Sequence, residues 1–140
     1  MQKYIMTASI IYEGSLRCEA KHIQSGTIIE TDAPSDNKGK GEKFSPTDLL
    51  CVSLATCITT TMALKAIDLA IELSGTTVRI IKHMLSEPRR VGQVDILLKF
   101  PSGLLIAEKT KLVLERIGSS CPVARSLHSD VKLNINYDWS

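Results

Sequence analysis

Cysteines are the residues of this sequence whose chemistry would be most distinctive, and two of the four have suggestive surroundings. Cys57 lies at the centre of a long apolar stretch, and Cys121 is followed at once by Pro122. A cysteine thiolate is a nucleophile that can pass through sulfenic acid to a disulfide. The two residues therefore indicate thiol redox chemistry if folding brings them together, which their spacing alone does not show.

The local sequence around Cys121 predicts the start of a short helix. Ser119 or Ser120 can cap it, and Pro122 suits its first turn. Unpaired N–H groups and positive potential at a helix start lower the pKa of a thiol, so we expect the Cys121 thiolate to be more available. The alternative is a cysteine that happens to begin a helix. For Cys57 the alternative is a packing residue, because free cysteine is among the most buried residue types.

The other two cysteines are predicted to be core residues. Cys51 precedes Cys57 by six helical positions, about 9 Å of rise and about 120° of rotation. That separation exceeds the roughly 7 Å Cα–Cα limit for a disulfide. Cys18 alternates with charged neighbours and should point inward. No CxxC or HxxxH spacing occurs and the histidines are scattered, so no metal site is predicted.

A thiolate nucleophile is helped by a nearby cation, and Arg17 is the candidate. Its guanidinium stays charged in an apolar cleft and donates hydrogen bonds in a fixed fork. Arg17 follows Leu16 in a segment that alternates apolar and charged residues. The alternative is therefore an arginine on the solvated face of a strand.

The element that must position Cys57 is a central helix from Pro46 to about Ala70. Ser45 is a good N-cap, and with Asp48 it approximates a capping box. A helix that is apolar nearly all round predicts a core helix. Helical spacing puts Cys57 on a stripe with four other residues, which are Leu50, Leu54, Thr61 and Leu64.

The remaining elements give the order βββ-α-ββ-αα-β, an α+β fold in a single domain over residues 1–140. Period-two patterns and turn residues predict an antiparallel meander followed by a loop, a hairpin, and a last strand. The predicted strands are residues 2–12, 16–22, 27–31, 76–85, 91–100 and 131–137, with the loop at 32–43. A second helix, residues 104–117, should end at Gly118 as its C-cap glycine. Its predicted inward residues are Leu105, Leu112, Leu114 and Ile117.

Bulk composition excludes several classes of function. The 140 residues carry a formal net charge of +2 and no basic run interleaved with aromatic residues, so no nucleic-acid partner is predicted. The longest apolar run is broken by Cys, Ser and Thr, so no membrane span is predicted. The first residues do not resemble a signal peptide, and we expect a cytoplasmic protein. Structural disulfides are rare in that compartment, so four cysteines require another explanation.

Three stretches of this sequence resemble the OsmC/Ohr family, the osmotically induced and organic-hydroperoxide-resistance proteins. They are Ser45–Leu50 leading to Cys57, then Ser120-Cys121-Pro122-Val123 with Ser126-Leu127, and the strand Arg17–Ala20 before a Gly-rich loop. The similarity covers nearly the whole chain in order.

The resemblance implies an intertwined α+β homodimer and a cysteine-based peroxidase that reduces organic hydroperoxides without haem, flavin or metal. It implies that Cys57 is the peroxidatic thiolate and that Cys121 is the resolving thiol. It further implies that Arg17 holds the Cys57 thiolate and polarises the peroxide. An external dithiol would then reduce the disulfide.

The sequence departs from the family pattern at the start of the central helix. The best-studied members have Pro-Glu there, and the Glu helps to hold the arginine. Here Pro46 is followed by Thr47, and the acidic residue is Asp48. Thr47 and Asp48 are therefore the candidate supporting or substrate-binding residues, although one helical step turns a side chain by about 100°. This departure indicates an OsmC-like branch rather than a typical Ohr protein.

Two other functions are compatible with the same residues. One is a dimer that binds a small apolar or thiol ligand without turnover, with Cys57 merely packed. The other is a redox-sensing protein whose Cys57–Cys121 disulfide changes a surface that a partner recognises. A catalytic Cys57 should have a pKa well below about 8.5, whereas a packed thiol should not.

Overall fold

The computed structural model describes residues 4–140, which form two compact units, the described residues up to Leu49 and Leu50–Ser140. Its elements follow the predicted order βββ-α-ββ-αα-β, so the α+β fold class is confirmed. A single 3₁₀ turn, Ser35–Asn37, lies within the predicted loop. The single-domain boundary stays a prediction.

The N-terminal unit contains the predicted antiparallel meander. Its strands are β1 (Ala8–Gly14), β2 (Arg17–His22) and β3 (Ile28–Asp32), in the sheet order β1-β2-β3. The predicted first strand began at residue 2, but residues 2 and 3 lie outside the described residues, and β1 begins at Ala8. Ser15 and Leu16 connect β1 to β2 with φ of 54° and 63°. Two positive φ angles in succession match the twist of antiparallel strands.

The C-terminal unit combines a second sheet with three helices, the first of which begins in the N-terminal unit. The helices are α1 (Pro46–Asp68), α2 (Glu108–Ser119) and α3 (Pro122–Ser126). The strands are β4 (Thr77–Ser86), β5 (Arg89–Lys99) and β6 (Lys132–Asp138). The predicted hairpin is β4 and β5, and β6 joins β5 in parallel. A parallel neighbour requires a crossover, which α2 and α3 provide.

The core of the C-terminal unit is built on one stripe of α1. Leu54, Ile58, Met62 and Ala66 have no exposed surface, and they cluster with the inward residues of β5 and with Leu114 of α2. These positions recur at four-residue intervals and so share one helix face. The predicted stripe is wrong by part of a turn, because Leu50 and Leu64 are exposed while Cys57 and Thr61 lie at the edge of the buried face.

By length and composition, α1 could also cross a membrane, since its 23 residues are long and apolar enough. One such helix is weak evidence, because the core helix of a globular unit passes the same test. The buried stripe that α1 shares with β5 and α2 is the arrangement of a core helix.

Helix α2 differs from its prediction at both ends. It begins at Glu108 rather than at residue 104, so Leu105 precedes the helix and is fully exposed. Leu112 is also exposed, whereas Leu114 is buried as predicted. Gly118 lies inside the helix and is not its C-cap, and its role is steric. A Cβ at Gly118 would lie 2.7 Å from Cγ of Met62 and 3.2 Å from Cγ2 of Ile58.

Replacing Gly118 with alanine tests this close approach of α2 to α1. Alanine favours a helix by up to about 1 kcal/mol over glycine, but the new methyl would collide with the fully buried Met62. We expect Gly118→Ala to lower the free energy of unfolding by about 1–2 kcal/mol, measured by urea denaturation.

The control for this variant is the same substitution in a Met62→Ala background. There the space is vacated, so Gly118→Ala should be neutral or stabilising, and the double-mutant cycle isolates the contact. An equal loss of stability in both backgrounds would contradict the steric explanation.

Candidate functional site

Cys57 and Cys121 meet within the C-terminal unit. Cys57 is half-buried on α1, and its sulfur is hydrogen-bonded to three groups, which are the backbone N–H of Val123, the Cys121 thiol and the Thr61 hydroxyl. The Sγ to Oγ1 distance between Cys57 and Thr61 is 3.8 Å. The sequence predicted both cysteines as chemical candidates, and the fold brings them into contact across two elements.

The hydrogen bonds at Cys57 favour its ionised form. Burial raises the pKa of a thiol because it penalises the charge, but the donors from Val123, Cys121 and Thr61 stabilise the thiolate. The balance leaves the pKa of Cys57 below its ordinary value. Burial without such donors would instead raise the pKa of a thiol.

Cys121 has the opposite electrostatic environment. It is completely buried, and burial together with the neighbouring Cys57 raises its pKa, although the Ala124 N–H opposes the shift. Its Sγ accepts that N–H at 3.5 Å and thereby caps α3. The sequence correctly predicted a cysteine at a helix start, but the lowered pKa expected for Cys121 is wrong, whereas the lowered pKa expected of a catalytic Cys57 is found. The N–H of Val123 in the first turn acts on both thiols and lowers the pKa of each.

The segment that leads into Cys121 is held by the last strand. Tyr137 of β6 donates its hydroxyl to the carbonyl oxygen of Glu115 at 3.0 Å and shares a 2.6 Å hydrogen bond with the hydroxyl of Ser119. Burial raises the pKa of Tyr137, so its phenol stays protonated and able to donate. The final turn of α2, two residues before Cys121, is thus tied to the sheet.

The N-terminal unit contains the predicted cation in a buried ion pair. Nε of Arg17 donates to Oδ1 of Asp32 at 2.7 Å, and Nη2 donates to Oδ2 at 2.8 Å, a bidentate pair. Glu42 accepts a further bond from Nη2 at 3.1 Å. Arg17 is therefore not a solvated strand residue, since its side chain is 19% exposed and that of Asp32 is fully buried.

Asp32 accepts hydrogen bonds from backbone N–H groups as well as from the Arg17 guanidinium. The N–H groups of Glu42 and Lys43 donate to its Oδ2 at 3.1 and 3.0 Å, so the loop after β3 closes over the carboxylate. The hydrogen bond from Arg17, aided by these N–H groups, lowers the pKa of Asp32 to about 2 despite desolvation. The same pair raises the pKa of Arg17 above its usual range.

Thr47 and Asp48 lie at the start of α1, in the same unit as Arg17. The predicted capping box is confirmed, because Ser45 Oγ accepts the Asp48 N–H and an Asp48 carboxylate oxygen accepts the Ser45 N–H, both at 3.0 Å. The hydroxyls of Ser45 and Thr47 are 3.2 Å apart. Asp48 also lines an open cleft of about 480 Å³ with Glu42, the residue that contacts Arg17. The supporting role of Thr47 and Asp48 stays a prediction.

The other cysteines follow the sequence prediction in part. Cys51 is buried in the core of the C-terminal unit, as predicted. Cys18 on β2 is only half-buried, and none of the four cysteines, all within the described residues, forms a disulfide. Within residues 4–140, no group of three or more His, Cys, Asp or Glu side chains could hold a metal ion.

Sequence reasoning missed three contributors to the two sites. The predicted helix stripe includes Thr61 but does not identify it as a partner of Cys57. The sequence pattern puts Asp32 and Glu42 in a loop and does not predict that they hold Arg17. Thr61 could have been found, because its side chain must lie beside that of Cys57 four residues earlier. For Asp32 and Glu42 no local signal existed.

Comparison with known proteins identifies the family. The model of the OsmC-like protein family matches residues 39–136. A solved structure from Psychrobacter arcticus 273-4, provisionally named an osmotic stress induced and detoxification response protein, is 42% identical with a TM-score of 0.91. That match covers 97% of this chain and 98% of the other. The chain therefore belongs to the OsmC/Ohr family, as its motifs predicted.

More distant solved structures share the fold. An organic hydroperoxide resistance protein OsmC from Legionella pneumophila is 14% identical, with a TM-score of 0.73 over 97% of this chain and 99% of that one. An organic hydroperoxide resistance protein from Elizabethkingia anophelis, with thiocyanate bound, is also 14% identical, with a TM-score of 0.71 over 99% and 100%. Among functionally curated proteins, none matches this sequence.

The ion pair of Arg17 with Asp32 should make stability depend on pH. The pKa of Asp32 is lower in the folded state than in the unfolded chain, so its contribution is present above about pH 4 and declines as the pH falls toward 2. We expect Asp32→Asn to be much less stable than the wild type at pH 7, and this difference should narrow by about pH 3. Urea unfolding at a series of pH values measures it.

Glu30→Gln is the matched control in the same strand. Glu30 forms a 3.5 Å ion pair with Lys43, but both side chains are partly exposed, so its loss should cost at most about 1 kcal/mol. A difference between Asp32→Asn and the wild type that stays constant from pH 7 to about pH 3 would refute the assignment to the Asp32 carboxylate.

Proposed function

We propose that this protein is a thiol-dependent peroxidase that reduces organic hydroperoxides. The observation that carries the proposal is the contact between a thiol of lowered pKa and a buried thiol of raised pKa, Cys57 and Cys121. Unequal pKa values give the two thiols different roles, since the more acidic thiol is ionised and attacks first while the other stays protonated. Membership of a family that includes organic hydroperoxide resistance proteins supports the choice of substrate.

The reaction that these residues would perform has three balanced steps. The Cys57 thiolate attacks the O–O bond of the hydroperoxide, giving Cys57 sulfenic acid and, after proton uptake, an alcohol. The Cys121 sulfur then attacks the Cys57 sulfur, which forms the disulfide and releases water. An external dithiol reduces the disulfide to two thiols and is itself oxidised to a disulfide.

The proposal includes Arg17 as the cation that polarises the peroxide and holds the Cys57 thiolate. Its support is the family resemblance together with the rigid setting of the guanidinium in the N-terminal unit. The bidentate bond to Asp32 and the contact with Glu42 fix its orientation. A fixed guanidinium loses little conformational entropy when it binds an oxygen. Thr47 and Asp48 are proposed as supporting residues near it.

The proposal also includes a homodimer. Both units have exposed large apolar side chains, and exposed apolar surface of this kind can mark a protein–protein interface. In the N-terminal unit they include Ile10, Ile11, Tyr12 and Phe44, each more than half exposed. On α1, Leu64 and Ile67 are 67% and 70% exposed. A second copy of the chain that covers these surfaces would explain them.

Peroxide consumption is the direct test of the proposed activity. The reduced protein should consume an organic hydroperoxide faster than hydrogen peroxide when dithiothreitol supplies electrons. Cys57→Ser should abolish turnover, because it removes the thiolate that attacks the peroxide. Cys121→Ser should react once and stall, or depend on external thiol. Cys51→Ala on the same helix is the control and should retain activity, since Cys51 is a core residue.

Two outcomes would contradict the proposed peroxidase activity. A wild type no faster than Cys57→Ser would show that Cys57 is not a catalyst, and the ligand-binding alternative would replace the proposed function. Slow reduction combined with a conformational change on oxidation would instead favour the redox-sensing alternative.

The homodimer predicts a molar mass twice that of one chain in sedimentation experiments. Leu64→Glu places a charge on an exposed apolar position of α1 and should shift the population toward monomer if that surface is covered. Lys109→Glu, on the exposed surface of α2, is the control and should leave the mass unchanged. A wild type that sediments as a monomer at micromolar concentrations would contradict the proposed dimer.

A further inference from the structure

Helix α1 carries a run of hydroxyl side chains, and one of them differs from the rest. Thr56, Thr59 and Thr60 each donate to the backbone carbonyl four residues earlier, at 2.8–2.9 Å. Ser53 donates to the carbonyl of Leu50. These bonds are the usual way in which Ser and Thr satisfy their hydroxyls within a helix.

Thr61 is the exception among these neighbours. Its Oγ1 lies 3.8 Å from Sγ of Cys57, one turn back on the same helix face. Its side chain is partly buried. Residues four apart on a helix lie side by side, which makes this contact a consequence of the sequence spacing.

We propose that Thr61 is a catalytic residue whose hydroxyl donates a hydrogen bond to the sulfur of Cys57 and keeps it ionised for attack on the peroxide. This inference rests on the proposed peroxidase function and adds a residue to it. A thiol is a weak acceptor and a thiolate a strong one, so a hydroxyl donor favours the ionised form. The direction agrees with the lowered pKa of Cys57.

Thr61 differs from the other two donors in how it takes part in the reaction cycle. The third donor, Cys121, is consumed as a donor when its own sulfur attacks Cys57. The N–H of Val123 belongs to the backbone and cannot be removed by substitution. Thr61 is therefore the donor whose side chain can be changed without altering either reacting thiol.

The test is the pH dependence of Cys57 alkylation by iodoacetamide, followed residue by residue with tandem mass spectrometry. Thr61→Val removes the hydroxyl and keeps the shape, so we expect the midpoint for Cys57 to rise by about one pH unit. The variant would have less Cys57 thiolate at neutral pH, but a thiolate of higher pKa is intrinsically more nucleophilic. The reaction with peroxide should therefore slow only about three- to fourfold.

Three further variants make the result specific. Thr60→Val removes a neighbouring hydroxyl that bonds only to the backbone in the helix and should leave the Cys57 midpoint unchanged. Thr61→Ser retains the donor and should restore the wild-type midpoint. Thr61→Ala also removes the hydroxyl but does not put a methyl group in its place. It replaces Thr61→Val in the test if circular dichroism shows that the valine variant does not fold.

The inference is overturned if Thr61→Val and Thr61→Ala leave the Cys57 midpoint where Thr60→Val leaves it. This measurement does not require turnover. Absence of peroxidase activity in the wild type would therefore refute the proposed function, while the alkylation profile would still decide whether Thr61 acts on the Cys57 sulfur.

Discussion

The burial of one stripe of α1 is the constraint on which the thiol site depends. Leu54, Ile58 and Met62 are completely buried against the second sheet and α2, and they fix the rotation of the helix about its axis. With that rotation fixed, Cys57 falls at the edge of the buried face, where a neighbouring element can reach its sulfur. Gly118 adds a second constraint, because its lack of a side chain lets α2 approach α1 closely. The position of α2 in turn sets the position of the segment that follows it, which contains Cys121.

The contact between the two thiols illustrates how unequal surroundings separate similar groups. Cys121 is more deeply buried, and its neutral form is favoured by desolvation and by the charge that develops on Cys57. Cys57 is half-buried and has three donors around its sulfur. The same contact therefore lowers the pKa of one thiol and raises that of the other, which is the arrangement that acid–base and nucleophilic sites often use.

The buried ion pair of the N-terminal unit follows a different physical logic. A carboxylate as buried as that of Asp32 is tolerated only when its oxygens are fully hydrogen-bonded and its charge is compensated. Arg17 supplies the charge and two bonds, and the N–H groups of Glu42 and Lys43 supply two more. The loop after β3 is thereby folded by the carboxylate it covers, and the guanidinium acquires one orientation.

The sequence by itself determined the order of the helices and strands and the family, because both depend on local sequence patterns. The capping box at Ser45 and Asp48, the meander and the positions of Cys57 and Cys121 within their helices were all predictable from spacing. Only the tertiary structure decided which face of α1 is buried, since an almost uniformly apolar helix carries no pattern to orient it. It also decided that Asp32 holds Arg17 and that Cys57 is the thiol of lowered pKa, because desolvation and hydrogen bonding depend on neighbours distant in sequence.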